Sequence, residues 1–199
     1  MFSGCKNFKG IGLENWEVNK VTNMARMFEN CKNFTGKGLE NWNVSNVTNM
    51  GGMFDGCEKF NCNLNNWNVR KVTNMINMFT NCKSFDYNLS SWDVSNVENM
   101  DSMFAGCENF TGKGLENWKT KECKSMSNMF FNCTSFDCDL GKWDVSSVEN
   151  IAFMFSGCKK FTGKGLEHWN PVKFLNLKLD KRKLQLFYIF YDCDSLKLK

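Results

Sequence analysis

Seven cysteines recur on a steady beat, at Cys5, Cys31, Cys57, Cys82, Cys107, Cys133 and Cys158, and Cys62, Cys123, Cys138 and Cys193 complete the eleven. Thiols can ligate zinc, bridge as disulfides or act as nucleophiles, and spacing separates these uses. Zinc sites draw on close pairs such as C-x-x-C, often with histidine. Here the repeat cysteines lie 25 or 26 residues apart and the single histidine is His168. Each repeat cysteine also falls on an apolar stripe, where a free thiol behaves as a small buried hydrophobe. Neighbouring helices at about 8–10 Å would be too far apart for a bridge that needs Cα atoms within ~7 Å. The expectation is buried, reduced thiols, with Cys62 and Cys138 exposed in loops and Cys123 in the core.

Other chemistry finds little to stand on. Gly-Lys-Gly recurs at 36–38, 112–114 and 163–165, but a phosphate-cradling loop needs G-x-x-x-x-G-K-[ST] between a strand and a helix, so these read as turns. Asp137 with Asp139, and Asp86 with Asn88, offer about two oxygens per loop where calcium wants six or more. No Ser/His/Asp or Cys/His set can be assembled, since His168 stands alone beside Trp169, and paired acids for glycoside work occur only as scattered positions. No catalytic residue, metal or cofactor is nominated, and the expectation is a protein that is not an enzyme.

The elements that carry these residues are repeats. Tryptophan keeps the same step at Trp16, Trp42, Trp67, Trp92, Trp118, Trp143 and Trp169, with intervals of 25 or 26 residues. Self-similarity at such a period is the mark of a stacked-repeat architecture. One unit reads L-x-x-W-x-V-x-x-V-x-N-M-x-x-M-F-x-x-C-x-x-F. In Leu39 to Phe60, the spacing of Leu39, Trp42 and Val44 predicts a short strand with its apolar side inward. Ser45 or Asn46 would cap a helix, and Val47, Met50, Met53, Phe54 and Cys57, at steps of three and four, form one stripe of about three turns. Gly56, and Gly or Asn at its equivalents, stands where such a helix would end. Units of 26 carry Gly-x-Gly in the closing loop and units of 25 a shorter polar link, a length change a turn absorbs. Asparagine before the core methionine (Asn23, Asn49, Asn74 and Asn99, with Asn150 before Ile151 and Ser125 in one unit) reads as a buried amide serving the turn backbone. The expected fold is therefore an α/β repeat solenoid, leucine-rich-repeat-like, with one short parallel strand and one short helix per unit.

The string Trp42-Asn43-Val44-Ser45-Asn46-Val47-Thr48-Asn49-Met50, followed by Met53-Phe54 and Cys57, resembles the BspA-like leucine-rich repeats, in particular the 26-residue bacterial surface-protein repeat of the DUF285 family. The resemblance recurs over residues 1–169. It implies an adhesion or protein-interaction module without catalytic residues, in surface proteins of low-GC bacteria and mycoplasmas or in large DNA viruses of amoebae. Residues 1–169 are expected to be the solenoid, about seven units, with a truncated first unit because Met1-Phe2-x-x-Cys5 equals Met27-Phe28-x-x-Cys31. Residues 170–199 read as a degenerate closing unit. Leu175, Leu177 and Leu179 would be its strand, and Leu186, Ile189, Phe190, Cys193 and Leu196 recover the repeat spacing.

In a parallel stack at about 4.8 Å per strand, outward side chains form a ribbon. Here it comprises Glu17, Asn43, Asn68, Asp93, Lys119 and Asp144, flanked by Arg70 and Lys121. These vary in charge while the apolar positions barely change, so they are nominated as the interaction surface; solubilising polar groups are the alternative reading. The net charge of +4 resides in residues 170–199, and residues 1–169 sum to zero. The repeats thus lack the basic stripe nucleic acid requires. The longest apolar run, Leu186 to Tyr191, is six residues, short of the ~18 of a membrane span. The expected partner is another protein, or a second copy in a larger complex such as a surface layer or virus particle, joined through the uncapped first repeat. Residues 1–5 carry no export signal, so an intracellular or virion setting is expected, or a cell surface where the chain is a fragment of a longer protein.

Overall fold

In the computed structural model, which describes residues 1–169 and 188–196, successive units stack through isolated parallel bridges. These pair Asn23 with Asn49, Asn49 with Asn74, Asn74 with Asn99, Asn99 with Ser125, and Ser125 with Asn150. The inter-unit contact thus falls on the Asn-Met step. The Leu-x-x-Trp-x-Val segment, expected to be the strand, is a pair of tight turns closed by Trp42 N–H to Leu39 O (3.1 Å) and Val47 N–H to Val44 O (2.9 Å). Its apolar residues do point inward: Leu39, Trp42, Val44 and Val47 are all buried.

The expected helix is absent from residues 1–169, and the reason is visible in the backbone. Among the described residues the helical elements longer than a single turn of two residues are two short 3₁₀ turns, Leu13–Asn15 and Leu166–His168. From Met50 to Cys57 alternate N–H groups go to different partners. Met50, Gly52, Phe54 and Gly56 donate to Asn74, Ile76, Met78 and Thr80 O of the next unit, at 3.0, 2.7, 2.9 and 2.8 Å. Met53, Asp55 and Cys57 donate three residues back, to Met50, Gly52 and Phe54 O, and Gly51 N–H donates to Asn49 Oδ1 at 2.9 Å. Every backbone donor in the segment is satisfied, as buried backbone requires. The chain turns this way because Gly52 (φ +62°) and Gly56 (φ +72°) are left-handed, as are Asn77 and Asn81, and Asn128 and Asn132, in sister units. An α-helix admits no such residues, but a run of i→i+3 turns puts residues three and four apart on one side just as a helix does.

That side is the core. Met50, Met53, Phe54, Cys57 and Phe60 are fully buried. Phenylalanine rings stack from unit to unit, with centroids 5.8 Å apart for Phe28 and Phe54 and 5.6 Å for Phe54 and Phe79. Within a unit Phe54 stacks on Phe60 at 4.1 Å. From Trp42 on, each repeat tryptophan ties its unit to the one before: Trp67 Nε1 donates to Leu39 O at 2.9 Å and Trp92 Nε1 to Leu64 O at 3.1 Å.

The thiols follow the same rule. Cys57 Sγ donates to Phe28 O at 3.0 Å, Cys82 to Phe54 O at 3.1 Å and Cys107 to Phe79 O at 3.0 Å. All eleven cysteines are free. Without helices, the spacing argument for reduced thiols falls away, because stacked backbones sit only about 4.8 Å apart. The repeat thiols from Cys31 to Cys158 instead point the same way along the stack, each toward a carbonyl of the preceding unit, and side chains that point in parallel do not meet in a bridge. Cys62 and Cys138 are buried, at 4% and 7% exposure, rather than exposed as expected. They fill space that glycine leaves: a Cβ on Gly36 would collide with Cys62, and one on Gly112 with Cys138. Burial pushes both thiols up to about 12. Cys123 is buried as expected.

Of the closing segment, Leu175, Leu177, Leu179 and Leu186 lie outside the described residues. Within 188–196, Ile189 O and Tyr191 O accept from Phe155 and Gly157 N–H, at 3.0 and 2.8 Å. Phe190 stacks on Phe155 at 5.7 Å, and Cys193 Sγ donates to Phe155 O at 2.9 Å.

Candidate interaction surface

The ribbon begins with the Trp-x-Val turns, which bury alternate residues and leave the intervening ones outside. Glu17, Asn43, Asn68, Arg70, Asp93, Lys119, Lys121 and Asp144 are all exposed. Six of them follow one another up the stack, each directly after its repeat tryptophan, and Arg70 and Lys121 stand two residues further on. Four of them also hold that turn. Asn43, Asn68, Asp93 and Asp144 each accept, through Oδ1, from the backbone N–H two residues on, at 3.2, 3.2, 3.1 and 2.9 Å. Short polar side chains favour such local bonds. The Ser95 hydrogen bonds, and then the nearby Arg70 guanidinium (Nε–Oδ2 3.8 Å), hold the Asp93 carboxyl below its usual range.

Lys119 has no such oxygen, and its unit is built differently: buried Thr120 donates through Oγ1 to Asp144 O at 2.9 Å. Further side chains lace the flank of the ribbon. Asn46 Nδ2 donates to Asn19 O at 2.8 Å, Lys71 Nζ to Asn46 Oδ1 at 2.7 Å, and Asn96 Nδ2 to Arg70 O at 2.7 Å.

The loop acids weighed for calcium have their oxygens engaged. Asp86 Oδ1 accepts Thr111 N–H and Oγ1–H at 2.9 and 2.6 Å, and Asp137 Oδ1 does the same for Thr162 at 3.0 and 2.8 Å. His168 is exposed, with Nε2 3.7 Å from Glu167 Oε1. Among the described residues no group of three or more His, Cys, Asp or Glu could hold a metal ion. No helix there is long and apolar enough to cross a membrane.

Two features escape a reading of one unit at a time. The asparagine amides are half-buried at Asn49, Asn74 and Asn99 and exposed at Asn23 and Asn150, not sealed in the core. Each accepts the N–H two residues on, as Asn74 does from Ile76 at 3.0 Å. Where Ser125 replaces asparagine, Asp101 of the preceding unit supplies the oxygen instead, accepting from Ser127 N–H at 2.7 Å and Ser125 Oγ at 2.5 Å. The second feature is a cleft of about 260 Å³ at Gly51 and Gly52, signalled in sequence only by two glycines where other units carry side chains.

The sequence model of the family described as "Mycoplasma protein of unknown function, DUF285" matches residues 1–114 and 87–179. Among solved structures, the crystal structure of the T. pallidum leucine rich repeat protein (TpLRR) is similar at 13% identity, over 89% of this chain and 81% of that chain, with a TM-score of 0.36. No curated protein matches.

Proposed function

The chain belongs to the DUF285 family, and on that premise we propose that it is a non-enzymatic protein–protein interaction module whose ribbon recognises its partner. The observation that carries this is the contrast within the Trp-x-Val turns. Trp42, Val44, Trp67 and Val69 are buried and alike, while Asn43, Asn68, Arg70, Asp93, Lys119 and Lys121 beside them are exposed and differ in charge. A rigid scaffold with variable outward groups can encode a partner by charge complementarity. The absence of a catalytic role rests on an exposed histidine whose acidic neighbour is Glu167 and on thiols bonded to backbone carbonyls. Closure of the stack by residues 170–199 belongs to the same reading.

The test is partner capture by the full chain and by a triple variant, Arg70→Glu, Lys119→Glu, Lys121→Glu, whose unfolding midpoint is first shown to match. A partner held by the parent and lost by the variant supports the ribbon. A partner held equally by both sinks it. A second reading, a structural component that self-associates through the first unit, draws on Trp16, which is 39% exposed where the tryptophans of later units are buried. Light-scattering mass that grows with concentration favours this second reading, and a constant monomer mass removes it.

A further inference from the structure

Units differ sharply along one column beside the asparagine ladder. Where the first carries Ala25-Arg26, the following ones carry Gly51-Gly52, Ile76-Asn77, Asp101-Ser102, Ser127-Asn128 and Ala152-Phe153. The glycine pair lacks side chains between two units that have them, and the cleft of about 260 Å³ opens there. Arg26 and Glu29 line it from the unit before, Asn74 and Asn77 from the unit after, and Asn49 and Asp55 from the glycine unit.

The charge inside is unbalanced. Glu29 Oε2 accepts Ser3 Oγ at 3.1 Å, and its Oε1 stands 4.0 Å from Arg26 Nε, a loose contact. The half-buried Asp55 carboxylate makes no hydrogen bond or salt bridge among the described residues. Burial, and then the nearby Glu29 charge, push its carboxyl up to about 6, and the Arg26 guanidinium offsets them only in part. A divalent ion would want six or more oxygens, and the Asn49 and Asn74 oxygens are already taken by backbone N–H groups. An organic cation on an apolar stem fits better. Its N–H donors would meet two carboxylates in charge-assisted bonds, and its methylenes would lie along the bare glycine backbone and Ile76, which also lines the cleft.

We propose that the Gly51–Gly52 cleft seats a basic side chain of a partner protein between Glu29 and Asp55. This deepens the interaction-module reading and rests on it. The probe is Nα-acetyl-lysine N-methylamide, titrated into the isotope-labelled full chain by NMR above the titration range of Asp55, with the norleucine analogue as control. Saturable shifts at Gly51, Gly52 and Asp55 are expected from the lysine probe and none from the norleucine one. Asp55→Asn is expected to weaken the probe about tenfold, the worth of one hydrogen bond to a charged group. Gly52→Asn, which narrows the cleft with a residue already left-handed at Asn77 and Asn128, is expected to reduce binding without unfolding the chain. Equal shifts from both probes, no shifts, or shifts indifferent to Asp55→Asn overturn the proposal. Because the probe reports on the cleft alone, a silent cleft together with partner loss in the ribbon variant removes this site and leaves the module reading standing.

Discussion

Between Leu39 and Val47 no backbone N–H crosses to a neighbouring unit among the described residues, whereas between Met50 and Gly56 every second one does. The first side is a run of local turns, closed by i→i+3 bonds and by asparagine or aspartate oxygens, and joined to the next unit by side chains such as the tryptophan indole. The second is continuous between units, its bonds shared along the stack. Cooperativity between repeats should therefore reside on the Met-Phe side, while the Trp-Val side is free to vary its outward residues. In a repeat protein, stability sums unit terms and nearest-neighbour interface terms, and the two sides contribute differently to the second kind.

Substitutions can break this contrast. Asn77→Pro should have the largest effect. It removes the N–H that donates to Asp101 O at 2.9 Å and cannot adopt φ +56°, so a loss of about 3 kcal/mol or more is expected in urea unfolding. A loss much smaller than that would detach stability from the inter-unit backbone bonds. Next comes Trp67→Phe on the other side, which deletes the indole donor to buried Leu39 O. That should cost about 1–2 kcal/mol, and a cost equal to that of Asn77→Pro would erase the contrast.

Asp55→Asn sharpens it by pH. The native carboxyl titrates near 6, above its ordinary 3.8, so the folded state gains from protonation and loses that advantage as pH rises through about 6. The variant should therefore gain melting temperature over the parent progressively as pH rises from 3.8, with its full advantage above about 6 and none below 3.8. A pH-independent difference would remove the burial penalty, and with it the Glu29 repulsion, as influences on this carboxyl. The smallest effect is expected at Ser102, left-handed at φ +55°. Ser102→Gly should stabilise by up to ~1 kcal/mol, as relief of the left-handed cost exceeds glycine's entropy in the unfolded chain. Destabilisation would show that the hydroxyl, not the backbone, governs that position.

Much of the fold was legible residue by residue. The Trp and Cys beat gave the repeat, and inward Leu39, Trp42, Val44, Met50, Phe54 and Cys57 are buried as their types demand. The turn role of the asparagines was also legible, because a short amide beside a backbone N–H has few other uses. The helix was misread because Met50, Met53, Phe54 and Cys57 share one side in a helix and in a chain of tight turns alike. Gly56 and its Asn equivalents were noticed, but as helix ends; two left-handed positions four apart, at 52 and 56, are what a helix cannot contain. Cys62 and Cys138 looked exposed in their loops because the glycines that make room for them belong to the preceding unit. The ribbon was locatable as outward positions, but not the turn-holding work of Asn43, Asn68, Asp93 and Asp144.

Sequence alone determined the period, the apolar core positions of the repeat and the outward positions of the Trp-x-Val turns, since these follow from side-chain chemistry repeated on a fixed step. Only the tertiary structure decided which side of each unit carries the inter-unit backbone bonds, that Asp101 stands in for the asparagine missing at Ser125, and that Glu29 and Asp55 line one cleft at the glycine pair. Each of those depends on register between units 25 or 26 residues apart. A hydrogen bond or a charge pair across such a distance is set by how the units stack, and no single unit encodes it.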